Sequence, residues 1–362
     1  MSGHKLIVAA AGSGKTSFLI DQALSFEQQR CLITTFTIEN EQTIRQRIIK
    51  KKGYIPESIT IQTWFSFLLQ HGVRPYQGQL YEKKIKGMIL VSGQSAQFQK
   101  EANVEKHYFS DNRQIYSDKI AKFVVKSDKK SEGAVARRIA KIFPYILIDE
   151  VQDLAGYDLE FLKLLFASNC TVTLVGDPRQ GTYSTNNSSK NKNVRKGNII
   201  YFFETDEFEI EKDDTLLTTN WRSHADICEL SNKLYPDFSR TISGNTCNTG
   251  HDGVFFVRPS DVSAYLKKFS PTQLRWDIKT KVNDEYSVLN FGGSKGLEFD
   301  RVLIYPPGPA ANWLMDNQAE LKPVSRSKFY VALTRARHSA AIVLNFDNNA
   351  AIPGIKNFVI EE

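Results

Sequence analysis

The sequence has little cysteine and lacks any metal-binding cysteine pattern. Its four cysteines are scattered singly along 362 residues, without a CxxC pair or a cysteine–histidine cluster. We therefore expect reduced thiols and no structural zinc site. An apolar run long enough to span a bilayer is also missing, and Met1 to Lys5 leave no room for a signal peptide. These absences predict a cytoplasmic protein without a membrane partner.

Charge of one sign does not dominate, although the balance is basic. Lys and Arg number 47 against 40 Asp and Glu, which gives a formal net charge of +7. This excess is compatible with a polyanionic partner and equally with an ordinary solvated surface. Hydrophobic residues make up 41% and charged residues 24%, as in globular proteins. A chain of this length is expected to form two domains.

The segment 6–17, LIVAAAGSGKTS, joins an apolar run to two glycines, a lysine and a hydroxyl residue. This is the pattern of a phosphate-binding loop, with Ala9 in place of the usual first glycine. The glycines let backbone N–H groups converge on an anion, and the following helix adds its positive end. The alternative is a chance glycine- and serine-rich turn. The predicted nucleotide-binding residues are Gly12, Ser13, Gly14, Lys15, Thr16 and Ser17, with Lys15 on the phosphates and Thr16 on Mg²⁺.

Two acidic residues follow a buried strand over 145–148. Ligands bind at the carboxyl ends of strands in parallel sheets, which is where Asp149 and Glu150 are expected. We predict that Asp149 holds Mg²⁺ and that Glu150 polarises the water that attacks the γ-phosphate. Alternatively, both acids cap the helix that is predicted to begin near Leu154.

Strand and helix patterns alternate in both halves of the chain, which predicts an α/β fold with two lobes. Within the first lobe lies a segment rich in Lys, Gln, Tyr and Ser, which we interpret as a mostly helical insertion; a solvated surface insertion without a partner is the alternative. A strand is expected at 215–218 and a helix over 329–337. The predicted domains are 1–71 with 139–218, the insertion 72–138, and 219–362.

Six short motifs occur in a fixed order. They are Lys15-Thr16, DEVQD at 149–153, GDPRQ at 176–180, NWRS at 220–223, KGLEF at 295–299 and LTRAR at 333–337. Together they resemble the motif series of superfamily 1 helicases of the UvrD/Rep/PcrA type, over about residues 6–344. The resemblance implies two RecA-like P-loop domains with parallel sheets, a small helical insertion in the first domain, and ATP with Mg²⁺ bound in the cleft between the domains.

The resemblance also implies roles for residues of the later motifs. Gln180 matches the glutamine that senses the γ-phosphate, and Arg222 and Arg335 match two arginines that stabilise charge on the transferred phosphoryl group. Trp221 matches a residue that stacks on adenine, and Glu298 matches one near the ribose. Trp221 is alternatively a core residue, and the arginines are alternatively surface ion-pair partners.

For single-stranded DNA, the family uses two strand tips and the aromatic residue after the glutamine of the third motif. Aromatic rings stack on bases there, while hydroxyl groups contact phosphates. Each of the three aromatic residues at these positions is alternatively a core residue. The matching residues in this sequence are Phe36, Thr37, Thr63, Trp64 and Tyr183.

Two departures from the family pattern limit the resemblance. Residues 184–187 replace a segment whose tryptophan wedges between bases, and the interval from Arg222 to Lys295 is too short for the 2B insertion. This compact form is similar to the helicase-like subunit of Gabija antiphage systems, which works with a nuclease partner. The resemblance therefore implies either an ATP-dependent DNA helicase that moves 3′ to 5′ on single-stranded DNA, or an ATPase subunit of a defence or repair complex that is gated by DNA or by a protein partner.

Overall fold

A computed structural model describes residues 3–26, 28–316, 319–346 and 354–360. Contacts between backbone positions divide the chain into two compact units. The first consists of the described residues of Met1–Val8, Lys15–Pro178 and Tyr183–Asp213; the second consists of those of Ala9–Gly14, Arg179–Thr182 and Asp214–Glu362.

The first unit is built on a six-stranded parallel sheet. Its strands and those of a small separate pair are β1 (Lys5–Val8), β2 (Cys31–Thr35), β3 (Ile59–Thr63), β4 (Gly87–Ile89), β5 (Gln114–Tyr116), β6 (Tyr145–Ile148), β7 (Thr171–Gly176) and β8 (Glu211–Asp213). The large sheet has the order β3-β2-β6-β7-β1-β8, and β4 pairs with β5. Every residue of β2 is buried, as expected for a parallel strand covered on both faces.

Helices of the first unit follow the strands. They are α1 (Lys15–Ser25), α2 (Ile38–Lys52), α3 (Trp64–Phe67), α4 (Val104–Tyr108), α5 (Ile120–Lys130), α6 (Ala134–Ile142) and α7 (Tyr157–Phe166). The ends of α2 are explicit in its sequence. Thr37 caps the first turn, where two acids complement the helix dipole, three lysines fill the last turn, and Gly53 ends the helix at a φ of 85°.

Residues 72–138 contain β4, β5, α4, α5 and part of α6. Helix α5 packs against the single π-helical turn Leu68–Val73 that leads into this segment. At that contact Gly72 lies against Val124, so close that a Cβ on the glycine would be 2.7 Å from a valine methyl carbon. The extent of the predicted insertion as a separate subdomain stays a prediction.

The second unit holds another parallel sheet of six strands. Its strands and those of a small separate pair are β9 (Thr219–Asn220), β10 (Ile242–Ser243), β11 (Gly253–Val257), β12 (Thr272–Arg275), β13 (Val288–Asn290), β14 (Phe299–Tyr305), β15 (Ala336–Val343) and β16 (Lys356–Asn357), and its helices are α8 (Ala225–Leu234), α9 (Val262–Phe269), α10 (Gly308–Met315) and α11 (Pro323–Leu333). The large sheet has the order β13-β12-β14-β15-β11-β16, and β9 pairs with β10. Two parallel six-stranded sheets confirm the predicted α/β fold with two RecA-like domains.

Two predicted elements are wrong in position. Residues 215–218 form a turn rather than a strand. The strands lie on either side of this turn, where β8 pairs with β1 and β9 pairs with β10. The helix predicted over 329–337 begins instead at Pro323, whose fixed φ suits a first helical turn, and ends at Leu333. Residues 336–343 belong to β15, which is paired on both sides.

Within the described ranges, none of the helices combines the length and the hydrophobicity needed to cross a membrane. The four cysteines form no disulfide, and Cys31 and Cys228 are buried. Burial raises the pKa of both thiols to about 12. These two side chains therefore behave as small apolar core residues at neutral pH.

The close approach of Gly72 to Val124 predicts a stability effect. We expect Gly72→Ala to lower the free energy of unfolding by about 1–3 kcal/mol, because the added methyl group overpacks the contact between the π-helical turn and α5. Urea denaturation measures the change. Gly78→Ala is the matched control, since a Cβ there meets nothing within 4 Å. A destabilisation of the same size in both variants contradicts the overpacking explanation.

Candidate functional site

The predicted phosphate loop follows β1 directly and has the backbone geometry of an anion-binding turn. Gly12 and Gly14 adopt φ angles of 77° and 87°, which favour glycine. The Ser13 hydroxyl donates to the Ala10 carbonyl at 2.8 Å and tightens the turn. A side chain on Gly12 would overlap Asn220, so this glycine is required for space as well as for conformation.

Within the second unit, the start of the fourth motif lies against this loop. The Trp221 N–H donates to the Gly12 carbonyl at 3.0 Å. Asn220 is buried, and its Oδ1 accepts the backbone N–H groups of Arg222 and Ser223 at 2.8 and 2.9 Å. The asparagine thus fixes the turn that presents Arg222, beside the loop that is predicted to hold phosphate.

The predicted metal ligands meet in the first unit. Lys15 is buried at the start of α1, and the hydroxyl group of its neighbour Thr16 donates to Asp149 Oδ2 at 2.8 Å. Burial, and then the charge of the adjacent Glu150, raise the pKa of Asp149 to about 6. A hydroxyl and a carboxylate oxygen side by side fit Mg²⁺, whose charge would oppose this rise. Ser17 is exposed and accepts from Arg47 at 3.3 Å.

Glu150 has an unusual backbone conformation. Its φ is 57°, in the left-handed region that residues with a side chain seldom adopt. The side-chain amide of Gln152 donates to its carboxylate, and the Gln152 oxygen accepts the Asp177 N–H at 3.0 Å. Helix α7 is capped by Gly156, which excludes the alternative that the two acids cap it.

Gln180 and Arg335 are adjacent in the second unit, although 155 residues separate them in sequence. Arg335 Nη2 donates to Gln180 Oε1 at 3.0 Å, and Arg335 Nε donates to the Val331 carbonyl at 3.0 Å. The arginine is only 2% exposed, which excludes a surface ion pair. Helix α11, which contains Val331, also contains Tyr330, whose hydroxyl group accepts the Ala11 N–H of the phosphate loop at 3.4 Å.

Arg222 lies in a different charged group, also in the second unit. Its Nη2 contacts Glu298 Oε1 at 2.6 Å, and its Nη1 donates to the Thr334 carbonyl at 3.2 Å. The other carboxylate oxygen of Glu298, Oε2, accepts from Arg337 Nη2 at 2.9 Å. Burial alone would raise the pKa of Glu298, but Arg222 and Arg337 overcome it and hold the pKa below its usual value.

Trp221 is a surface residue, so the alternative that it belongs to the core is wrong. Its side chain is 68% exposed and lies against Gly244, where a Cβ would be 2.7 Å from the indole ring. Gly244 follows the short strand β10 and donates its N–H to the Asn220 carbonyl at 2.7 Å. The sequence alone does not indicate this role of Gly244, because only the folded chain places it against the indole ring of Trp221.

The predicted DNA-binding residues fall into three groups that differ in exposure and in side-chain contacts. Phe36 is half-buried, and its ring centroid is 4.9 Å from that of Tyr183, which is 46% exposed. Thr37 and Thr63 use their hydroxyl groups to cap α2 and α3. Trp64 is 1% exposed and therefore belongs to the core, which excludes its ring as a surface for base stacking.

A buried network explains both the position of Trp64 and the altered third motif. Trp64 Nε1 donates to Asp158 Oδ1 at 2.8 Å. The other oxygen of Asp158 accepts from the Thr185 hydroxyl and, at 3.1 Å, from the Asn186 amide. Residues of the segment 184–187 thus point inward, where the family has a base-wedging tryptophan. Burial raises the pKa of Asp158 to about 6, although these donors oppose the rise.

A small cavity of about 10 Å³ connects the strand tips with the acids of the first unit. Phe36, Trp64, Asp149 and Glu150 are among the residues that line it. The hydroxyl group of Thr35, which also lines the cavity, has no hydrogen-bond partner among the described residues. The residues predicted for DNA and those predicted for catalysis are therefore direct neighbours at this sheet edge.

Residues 94–196 match the sequence model of the family described as UvrD/REP helicase N-terminal domain. The resemblance to UvrD-like helicases is confirmed. The matched region contains the DEVQD motif, the altered third motif and part of the predicted insertion. It also includes Asp158, Thr185 and Asn186 of the buried network, but not Trp64.

Named relatives that match part of the chain agree with this family match. RecBCD enzyme subunit RecB from Buchnera aphidicola subsp. Schizaphis graminum is 33% identical over 117 residues, or 32% of this chain and 9% of that protein. A protein of Acanthamoeba polyphaga mimivirus, named as an ATP-dependent DNA helicase, is 29% identical over 142 residues, which is 38% of this chain and 18% of that protein. The chain thus spans less than a fifth of the length of the curated relatives it matches.

Solved structures show the likeness of fold over nearly the whole chain. The helicase nonstructural protein 10 of an arterivirus aligns with a TM-score of 0.51 and 16% identity, covering 95% of this chain and 60% of that one. Its complex with DNA aligns with a TM-score of 0.50 and 15% identity, covering 95% and 62%. At such low identity the likeness concerns the fold alone.

The hydrogen bond from Trp64 to Asp158 predicts a measurable loss of stability. We expect Trp64→Phe to lower the free energy of unfolding by about 1–3 kcal/mol, since a buried carboxylate oxygen loses its donor. Guanidinium chloride denaturation measures the change. Trp221→Phe makes the same substitution on an exposed ring and should stay within about 0.5 kcal/mol of the unchanged protein. Equal effects at the two positions contradict the buried-network explanation.

Proposed function

We propose that this protein is a Mg²⁺-dependent ATP hydrolase that acts on single-stranded DNA as a helicase or translocase, moving 3′ to 5′ by analogy with UvrD-like enzymes. One observation supports this proposal most strongly. The bond between Arg335 and Gln180 joins two distant motifs in the unit that also contains residues 9–14 of the phosphate loop. A buried arginine beside a glutamine suits charge that develops on a transferred phosphoryl group.

In this proposal each part of the site has one task in ATP hydrolysis. Lys15 and the loop N–H groups neutralise the phosphates, and the oxygens of Thr16 and Asp149 hold Mg²⁺. Bound Mg²⁺ supplies charge neutralisation at the phosphates. Glu150 orients and polarises the attacking water, and its carboxylate is already held by Gln152.

The surface proposed for DNA is smaller than the sequence suggested. Phe36 and Tyr183 form a partly exposed aromatic pair on which bases stack, while Trp64 is left out because it is buried. Thr37 and Thr63 remain at the strand tips, with their hydroxyl groups already used as helix caps. The net charge of +7 is compatible with a polyanionic ligand.

A second candidate function has its own support. Segment 184–187 lacks a wedging aromatic residue, and Thr185 and Asn186 are tied to Asp158 in the interior. A relative over part of the chain is named as a subunit of a larger enzyme. We propose as the alternative that the protein is an ATPase subunit gated by DNA or by a protein partner such as a nuclease subunit, in antiphage defence or repair, without processive unwinding.

An ATPase assay with and without single-stranded DNA tests the proposal. We expect DNA to raise the turnover number of the unchanged protein, and Glu150→Gln to lower it by about 10²–10⁴-fold while ATP binding persists, because the water loses its polarising carboxylate. Lys15→Ala should abolish both hydrolysis and its stimulation.

Each remaining outcome of this assay is informative. Hydrolysis without stimulation by DNA favours the partner-gated alternative. An absence of hydrolysis both with and without DNA contradicts the helicase or translocase function and leaves only gating by a protein partner. Strand displacement on substrates with a 3′ or a 5′ single-stranded tail then separates unwinding from translocation and gives the polarity. Tyr183→Ala should reduce stimulation by DNA more than basal hydrolysis, because its exposed ring lies outside the phosphate loop.

A further inference from the structure

Glu298 occupies a place in the second unit that the family resemblance does not predict. Its two carboxylate oxygens contact different guanidinium groups, Arg222 at 2.6 Å and Arg337 at 2.9 Å. Each oxygen is thus already engaged by one charged donor, and the two arginines hold the carboxylate between them. Arg337 also pairs with Asp300 at 3.6 Å. The four side chains together carry two positive and two negative charges, so the cluster is electrically balanced around Glu298.

Arg222 is held on two sides by this arrangement. Its Nη2 contacts Glu298, and its Nη1 donates to the Thr334 carbonyl at 3.2 Å. Its Nε is buried and has no hydrogen-bond partner among the described residues. A buried donor without a partner is costly, which makes this nitrogen a ready donor for an oxygen of a bound ligand.

The surroundings of Arg222 point to the kind of ligand. Its backbone follows the turn that Asn220 fixes, and a Cβ built on Gly12 would lie 2.9 Å from Arg222 Cβ. Gly12 belongs to the predicted phosphate loop in the same unit. A guanidinium group anchored beside such a loop is suited to a phosphoryl oxygen rather than to a base or a sugar.

We propose that Glu298 is a positioning residue for Arg222, and that Arg337 is a second positioning residue that supports Glu298. This inference rests on the proposed ATP hydrolysis. A guanidinium group fixed before the reaction stabilises developing charge without having to reorganise. The carboxylate supplies the fixed point, and Arg337 holds the carboxylate from its other side.

Replacing the carboxylate while keeping its shape separates positioning from binding. We expect Glu298→Gln to lower the turnover number for ATP by about 10–100-fold while KM changes by less than about threefold. The reason is that the anchored Arg222 stabilises charge that develops in the transition state and contributes little to binding of the substrate. Arg337→Gln should lower the turnover number in the same direction by a smaller factor. Glu298→Asp, which restores the charge at shorter reach, should recover part of the loss.

A double-mutant cycle tests whether Glu298 acts through Arg222. In an Arg222→Gln background, Glu298→Gln should lower turnover by less than about threefold, because the group that it positions is already gone. The matched control is Glu229→Gln, which breaks another ion pair of 2.6 Å in the second unit, between Arg240 and Glu229. That pair is exposed, so turnover should not change.

Ligand binding distinguishes the proposal from a role at the ribose. Affinity for ADP should be the same in the unchanged protein and in Glu298→Gln, whereas affinity for ADP with aluminium fluoride should fall in the variant. An equal loss of ADP affinity, or a discrimination against 3′-deoxy-ATP that disappears in the variant, overturns the positioning role. Normal turnover in Glu298→Gln overturns it as well, while the proposed function stands. If the unchanged protein hydrolyses no ATP, the proposed function fails and this inference fails with it.

Discussion

A buried charge is stable only when another group pairs with it, and the candidate site consists largely of such charges. Arg335 is enclosed and bound to Gln180 and to helix carbonyl groups. Asp149 is enclosed and accepts from Thr16. Because Gln180 and Thr16 belong to other motifs than the charged residues they bind, these charges keep those partners only when the motifs have come together. Folding of each unit and assembly of its share of the site are therefore one event.

The parallel sheets supply the geometry for this assembly. All carboxyl ends of a parallel sheet lie at one edge, so residues that follow successive strands become neighbours regardless of their separation in sequence. In the first unit this edge brings Asp149 and Glu150 next to Phe36 across a small cavity. The proposed catalytic residues and Phe36 of the proposed nucleic-acid surface follow two paired strands, β6 and β2, and are therefore close in space.

The same pairing rule accounts for the departure from the family in the third motif. Asp158 is a buried carboxylate at the start of α7, and it takes donors from Trp64, Thr185 and Asn186. A side chain that supplies such a donor is not available to stack on a base. In this protein the segment after Tyr183 therefore stabilises the interior, and the exposed aromatic surface is limited to the region of Tyr183 and Phe36.

The sequence by itself determined the α/β class, the phosphate loop and the order of the motifs, because strand hydrophobicity, glycine geometry and charged side chains are local properties. Tertiary structure alone decided that 215–218 is a turn, that Trp64 is buried while Trp221 is exposed, and that Glu298 joins two arginines. An aromatic or charged side chain carries no local mark of its eventual neighbours. Its burial and its partners depend on pairings between distant segments, which composition and periodicity do not encode.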